Sequence, residues 1–161
     1  MVQRQKEACF NRKPYLLQVS LRKKMKLKQT NIDLLYQIAE DIANPVRCYR
    51  LAAGVFYKNS VVGLGINSYK SDPLQAKYAK NEDAIFLHAE IAAIKNSLRT
   101  VIVNDLRKCT LAVVRVKKDP LTGLFRPAMS KPCSGCQSCI AAFDIPTVVY
   151  TTEEGLLVQN G

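Results

Sequence analysis

Residues 87–98 read LHAEIAAIKNSL, and the periodicity of this stretch decides how the rest of the chain is organised. Ile91, Ala92, Ala93, Ile94 and Leu98 form an almost wholly apolar wall, with Lys95 and Asn96 left for the remaining face. That pattern predicts a buried helix over His88–Leu98. Upstream, Ile32, Leu35, Ile38, Ala39 and Ile42 recur at helical spacing between a candidate N-cap, Thr30 or Asn31, and a stop at Asn44-Pro45. Two β-rich runs, Leu51–Tyr57 and Val61–Ile66, flank Lys58-Asn59-Ser60 and predict an antiparallel hairpin. The polar stretch 67–84, with Pro73 and a short helix over Leu74–Ala79, is long for a connection and is expected to border a functional site.

Downstream, Cys109–Lys117 reads as a strand, Asp119–Ser130 as a loop carrying Pro120, Gly123 and Pro127, and a third helix opens at Cys133. Thr147–Thr151 is a fourth strand. After Glu153-Glu154-Gly155, only Leu156–Gln159 remains for a fifth strand. A parallel neighbour would need a crossover of about a dozen residues, so this strand must return antiparallel. The expected class is α/β: a three-layer α/β/α sandwich around a mixed five-stranded sheet whose last strand is antiparallel.

The chain of 161 residues, 48% apolar, fits one domain over residues 31–161 behind a basic arm over residues 1–30. The arm carries nine of the 24 basic side chains against Glu7 alone, leaving 15 basic and 12 acidic groups in the body. Such an arm can hold nucleic acid through phosphate contacts, or simply remain a solvated tail. No run approaches the roughly 18–20 apolar residues of a spanning helix, and no signal-peptide pattern opens the chain, so no membrane partner is expected. Six cysteines are too few for a disulfide scaffold and suit a reducing cytoplasm.

Three of those cysteines cluster in 131–140, KPCSGCQSCI. Cys133 and Cys136 at i and i+3 on an opening helical turn share a face, and the positive end of the helix favours their thiolates. By itself the pair also fits a redox couple. His88, the single histidine, and Glu90 sit at the start of the buried helix. Alone, the histidine could be structural and the carboxylate could complement the helix dipole. Together, one imidazole and two thiolates are a three-ligand set that leaves a tetrahedral zinc one open position. A buried Glu beside it needs either a proton or a positive neighbour.

His-x-Glu followed by Pro-Cys-x-x-Cys is the signature of zinc deaminases. On His88-Ala89-Glu90 and Pro132-Cys133-Ser134-Gly135-Cys136, supported by Gly65-Ile66-Asn67 and Ile145–Tyr150, residues 31–159 resemble the cytidine deaminase-like superfamily; a phage-type or bacterial member is the nearest in kind. The resemblance implies Zn2+ on His88, Cys133 and Cys136, Glu90 as the proton carrier, and substrate contacts from Asn67 and the backbone of Ala89. It implies hydrolytic deamination of a free cytosine nucleoside or nucleotide by a homo-oligomer. The antiparallel last strand resembles members acting on free nucleosides.

A second reading is a deaminase of cytosine or adenine within single-stranded DNA or RNA, with the arm, Lys70, Lys77 and Lys80 on phosphates and Tyr69 and Phe86 as stacking partners. In a third, Cys139, one turn below Cys136, closes the site as a fourth sulfur in a non-catalytic zinc module; Glu90 argues against a closed site, and a small buried apolar residue is the other role for Cys139. Met25 precedes the first helix closely enough to be an alternative start. Deleting residues 1–24 is therefore expected to leave folding and deamination intact, measured by circular dichroism and ammonia release; loss of either would refute it.

Overall fold

The computed structural model describes residues 27–81 and 84–160. Residues 1–26, with Met25 and most of the basic arm, lie outside the described residues. The rest of the arm belongs to the folded body, since Leu27 is 5% exposed and packs among core side chains.

In chain order the elements are α1 (Gln29–Glu40), β1 (Arg50–Tyr57), β2 (Ser60–Ile66), α2 (Pro73–Tyr78), α3 (Ala89–Ser97), a 3-10 turn (Val103–Lys108), β3 (Cys109–Lys118), β4 (Phe125–Ala128), α4 (Ser134–Ala142), β5 (Thr147–Thr152) and β6 (Gly155–Asn160). The sheet order is β2-β1-β3-β5-β6. Only β3 and β5 run parallel, joined through α4, and β6 turns back antiparallel on β5 as its short connection requires. None of the helices among the described residues is long and apolar enough to cross a membrane.

Strand alternation divides the core into two faces. Ala53 and Val55 of β1, Leu111 and Val113 of β3, and Val148 and Tyr150 of β5 pack with α3 and α4. Ala52, Phe56, Ala112, Val114, Val116 and Val149 face Ile32, Leu35, Tyr36 and Ala39 of α1. The three layers and all five expected strands are thus present.

The expected loop over 119–130 instead contains a sixth strand. Its residues Phe125–Ala128 pair antiparallel with Arg115–Lys118, beyond the point where β3 pairs with β5. Pro127 argues against a central strand, but β4 borders only β3, and an edge strand tolerates a residue that cannot donate. At the fork, Ser130 Oγ donates to the Val113 carbonyl (2.8 Å) and accepts from Thr151 N–H (2.8 Å). Thr151 Oγ1 donates to the Ala128 carbonyl (2.7 Å) and accepts from Arg115 N–H (3.1 Å). These bonds satisfy the backbone where the ladder changes partner and bring the 129–133 segment back toward the ends of β3 and β5.

Helix α1 begins at Gln29, with Lys28 rather than Thr30 or Asn31 as its N-cap. The reason lies in the hairpin tip, where Lys58 and Asn59 both have positive φ, the two-residue turn that suits strand twist. Asn59 Oδ1 accepts from Lys28 N–H (2.7 Å), and Asn31 Nδ2 donates to the Asn59 carbonyl (2.9 Å). The hairpin supplies the cap from 31 residues away, so Asn31 is free to enter the helix.

Strand β2 lies unusually close to α3. A Cβ on Gly65 would sit 2.4 Å from the Ala93 nitrogen and 2.5 Å from the Ala89 carbonyl oxygen. Because both are helix backbone, neither can swing aside. Gly65→Ala is expected to lower the unfolding free energy by about 1–3 kcal/mol in urea titrations; an unchanged midpoint would contradict this account of the packing.

Candidate metal centre and its cavity

The two halves of the sequence signature meet where the N-termini of α3 and α4 converge. His88 is the N-cap of α3 in an extended conformation, and its carbonyl accepts from Ala92 N–H (3.0 Å). Its own N–H donates to Gln75 Oε1 (3.0 Å), while Gln75, buried on α2, donates through Nε2 to the Ala84 carbonyl (3.3 Å). The segment before α3 is therefore pinned to α2. Helix α2 is held in turn by Asp72, which caps it through Leu74 N–H (2.9 Å) and pairs with Lys95 of α3. The polar stretch expected to border the site does so by this route.

Cys133 is the N-cap of α4, and its Sγ accepts from Cys136 N–H (3.5 Å). Gly135 between them is required by the neighbouring helix, because a Cβ there would meet the Tyr78 carbonyl oxygen at 2.5 Å. His88 Nδ1 lies 3.6 Å from Cys133 Sγ and 3.3 Å from Cys136 Sγ. A tetrahedral zinc with Zn–N of about 2.0–2.1 Å and Zn–S of about 2.3 Å needs N···S edges of about 3.6 Å. The three donors therefore have the spacing, the softness and the number that suit zinc with one position left over.

Charge within the trio fits a cation as well. Hydrogen bonds from the Cys136 thiol and from His88 pull the Cys133 thiol down to about 3. The same bond to Cys133, followed by burial, pushes the Cys136 thiol far up. His88 is raised chiefly by its bond to Cys133. The three donors thus compete for protons among themselves, an arrangement in which a divalent ion takes the place of protons.

Glu90, in the first turn of α3, is 4% exposed, and burial raises its carboxyl above the ordinary range. It lines a cavity of about 390 Å³ together with His88, Cys133, Ala89 and Asn67. All six residues singled out for metal, catalysis or substrate thus meet at one place, Cys136 joining through the metal cluster. Asn67 is less free than expected. Its Oδ1 accepts from Leu51 N–H (3.0 Å) and its Nδ2 donates to the Tyr49 carbonyl (2.9 Å), extending the edge of β1.

Cys139 does not join them. It is fully buried, its thiol is pushed up to about 12 by burial, and it packs with Ile140, Ile145 and Val148. It fills the core, the alternative to a fourth ligand, and among the described residues the cluster stays at three ligands.

The sequence reading gave no cavity role to Arg47, Tyr49, Arg115, Met129, Ser130 and Lys131, which also line it. Most of these lie in two connecting segments, 46–49 and 129–131, whose position no local pattern reveals. Arg115 is different. In Leu111-Ala112-Val113-Val114-Arg115-Val116 it shares the face of Leu111 and Val113, and a cation at an inward position of a central strand marks a site.

Over residues 25–152 the chain matches the model of the cytidine and deoxycytidylate deaminase zinc-binding region. Among solved structures it is similar to the dCMP deaminase from the cyanophage S-TIM5 in apo form, with a TM-score of 0.52 and 19% identity over 80% of this chain and 84% of that one. The same enzyme in complex with dCMP and dUMP matches with a TM-score of 0.52 and 19% identity over 80% of this chain and 83% of the other. At that identity the likeness speaks for the fold. No curated protein matches the chain. The chain belongs to the cytidine and deoxycytidylate deaminase family, whose metal is zinc and whose chemistry is hydrolysis of a C–N bond.

Proposed function

We propose that this protein converts a cytosine nucleoside or nucleotide to its uracil counterpart with release of ammonia. In this reading His88 Nδ1, Cys133 and Cys136 hold the zinc and Glu90 carries the protons. The observation that bears most weight is the placement of Glu90. A carboxyl that burial biases toward its protonated form lines the same cavity as two of the three ligands. A purely structural zinc site has no use for such a group.

Zinc, when bound, supplies a Lewis-acidic position that brings the pKa of water toward neutrality. The chain supplies the rest. Glu90 accepts a proton from the attacking water, whose oxygen bonds to C4 of the ring, and passes that proton to ring N3. It then delivers the second proton of the water to the departing amine, so that ammonia leaves and C4 becomes a carbonyl carbon. Burial, by raising the carboxyl's affinity for protons, suits a group that must take one up and pass it on.

Asn67, fixed by its two backbone bonds, retains one N–H and one lone pair for the sugar or base edge. Ala89 offers its backbone N–H at the positive end of α3, where a pyrimidine carbonyl oxygen is favoured. Thr151 and Ser130 bear on the reaction only by setting the path of the segment that ends at Cys133.

Two outcomes are expected. Glu90→Gln keeps one zinc per chain by elemental analysis while cytidine or deoxycytidylate turnover falls by about 10²–10⁴-fold; full turnover in that variant would end the proposal. Zinc binding must displace protons from Cys136 and His88, both raised by their bonds to Cys133, so affinity strengthens as pH rises. Competition with a chelator at several pH values, corrected for the chelator's own protonation, reads this directly. A flat profile would argue against these ligands.

A further inference from the structure

The cavity that holds Glu90 also takes three cations into its lining: Arg47 from the turn before β1, Arg115 from β3, and Lys131 from the segment entering α4. Glu90 is the single carboxylate of its lining, and the ion pairs found among the described residues involve none of these three cations. Three unpaired charges from three segments around one cavity are an unusual concentration.

Arg115 is the most tightly held. Its guanidinium lies 4.3 Å from the centroid of the Tyr49 ring, and Nη1 donates to the Met129 carbonyl (3.3 Å). Its Nε is buried with no hydrogen-bond partner. A buried guanidinium N–H without an acceptor is costly and points to an absent one.

Arg47 is placed by a different device. The turn Val46–Tyr49, closed by Tyr49 N–H to the Val46 carbonyl (2.8 Å), puts Arg47 at φ 48 and Cys48 at φ 67. Glycine or asparagine normally fills such positions, and neither residue here is one. The strain is held by an aromatic pair. Tyr69 Oη accepts from Arg47 N–H (3.0 Å), Tyr69 and Phe86 meet edge to face at 5.1 Å, and the guanidinium sits 5.8 Å from the Phe86 centroid. Strain maintained at the wall of a reaction cavity is commonly functional.

We propose that Arg47, Arg115 and Lys131 form a phosphate receptor, so that the substrate is a cytosine nucleoside monophosphate rather than the free nucleoside. This rests on the deaminase reading above and narrows its substrate. Planar guanidinium groups pair with phosphate through two parallel N–H donors, and Arg47 and Arg115 both bring such a group to the cavity lining. The aromatic rings favour a single nucleotide over a strand. Tyr49 and Phe86 hold guanidinium groups, so they orient the cations instead of offering faces to flanking bases. The cavity of about 390 Å³ is of a size that takes a small molecule.

The test compares kcat/KM for CMP and dCMP with that for cytidine and deoxycytidine, in the zinc-loaded protein and in Arg115→Gln and Arg47→Gln. Circular dichroism and zinc content check that each variant folds. The proposal expects the monophosphate to be preferred, and the ratio of monophosphate to nucleoside to fall about 10- to 100-fold in Arg115→Gln. Arg47 lies in an exposed turn, so its variant carries the test if Arg115→Gln does not fold. Equal use of nucleoside and monophosphate, an unchanged ratio in the folded variants, or turnover only of single-stranded oligonucleotides would overturn it. Calorimetric titration of dUMP against deoxyuridine separates the two readings. Phosphate-dependent binding that Arg115→Gln abolishes, without turnover of any substrate, sustains the receptor and removes the reaction. No binding of either ligand removes both.

Discussion

The structure depends on one convergence: an imidazole nitrogen at the start of α3 and two sulfurs at the start of α4 lie within about one zinc tetrahedron of each other. Neither helix reaches that position by its own propensity. Helix α3 is drawn onto the sheet by Gly63 and Gly65 of β2, whose missing side chains let strand and helix backbones touch. Helix α4 is drawn in by Gly135 against the end of α2. Helix α2 completes the arrangement, with Gln75 holding the backbone of His88 and Asp72 tying it to α3 through Lys95. The metal site is thus the meeting point of three helix ends, each set by a close approach or a buried hydrogen bond.

The same convergence explains why one carboxylate can be both buried and useful. Glu90 lies in the first turn of a helix whose apolar residues are packed against the sheet. Its charged form would be penalised without a nearby cation, and the cation in question is the one the trio is shaped to hold. Burial and metal binding therefore support one another: the ion makes the carboxylate tolerable, and the low-dielectric surroundings raise the group's affinity for protons.

Much of this was legible from residue types and spacing, because the decisive signals are local. His88, Glu90, Cys133 and Cys136 each sit in the first turn of a helix, and helix starts are marked by sharp changes in pattern. The strand runs that became β1, β3 and β5 were likewise legible as β-rich segments bounded by turn residues. What escaped was non-local. The cap of α1 comes from a hairpin tip far along the chain. Strand β4 carries a proline that is harmless only because its neighbour lies on one side. The cations of the cavity wall come from three segments with no shared motif, and of them only Arg115 left a trace, as a charge at an inward strand position.

X-ray absorption at the zinc edge of the purified protein addresses the central claim most directly. The account requires two sulfur scatterers at about 2.3 Å and two lighter atoms at about 2.0–2.1 Å, one of them from an imidazole. A shell of three or four sulfurs, or a protein that takes up no zinc, would contradict it.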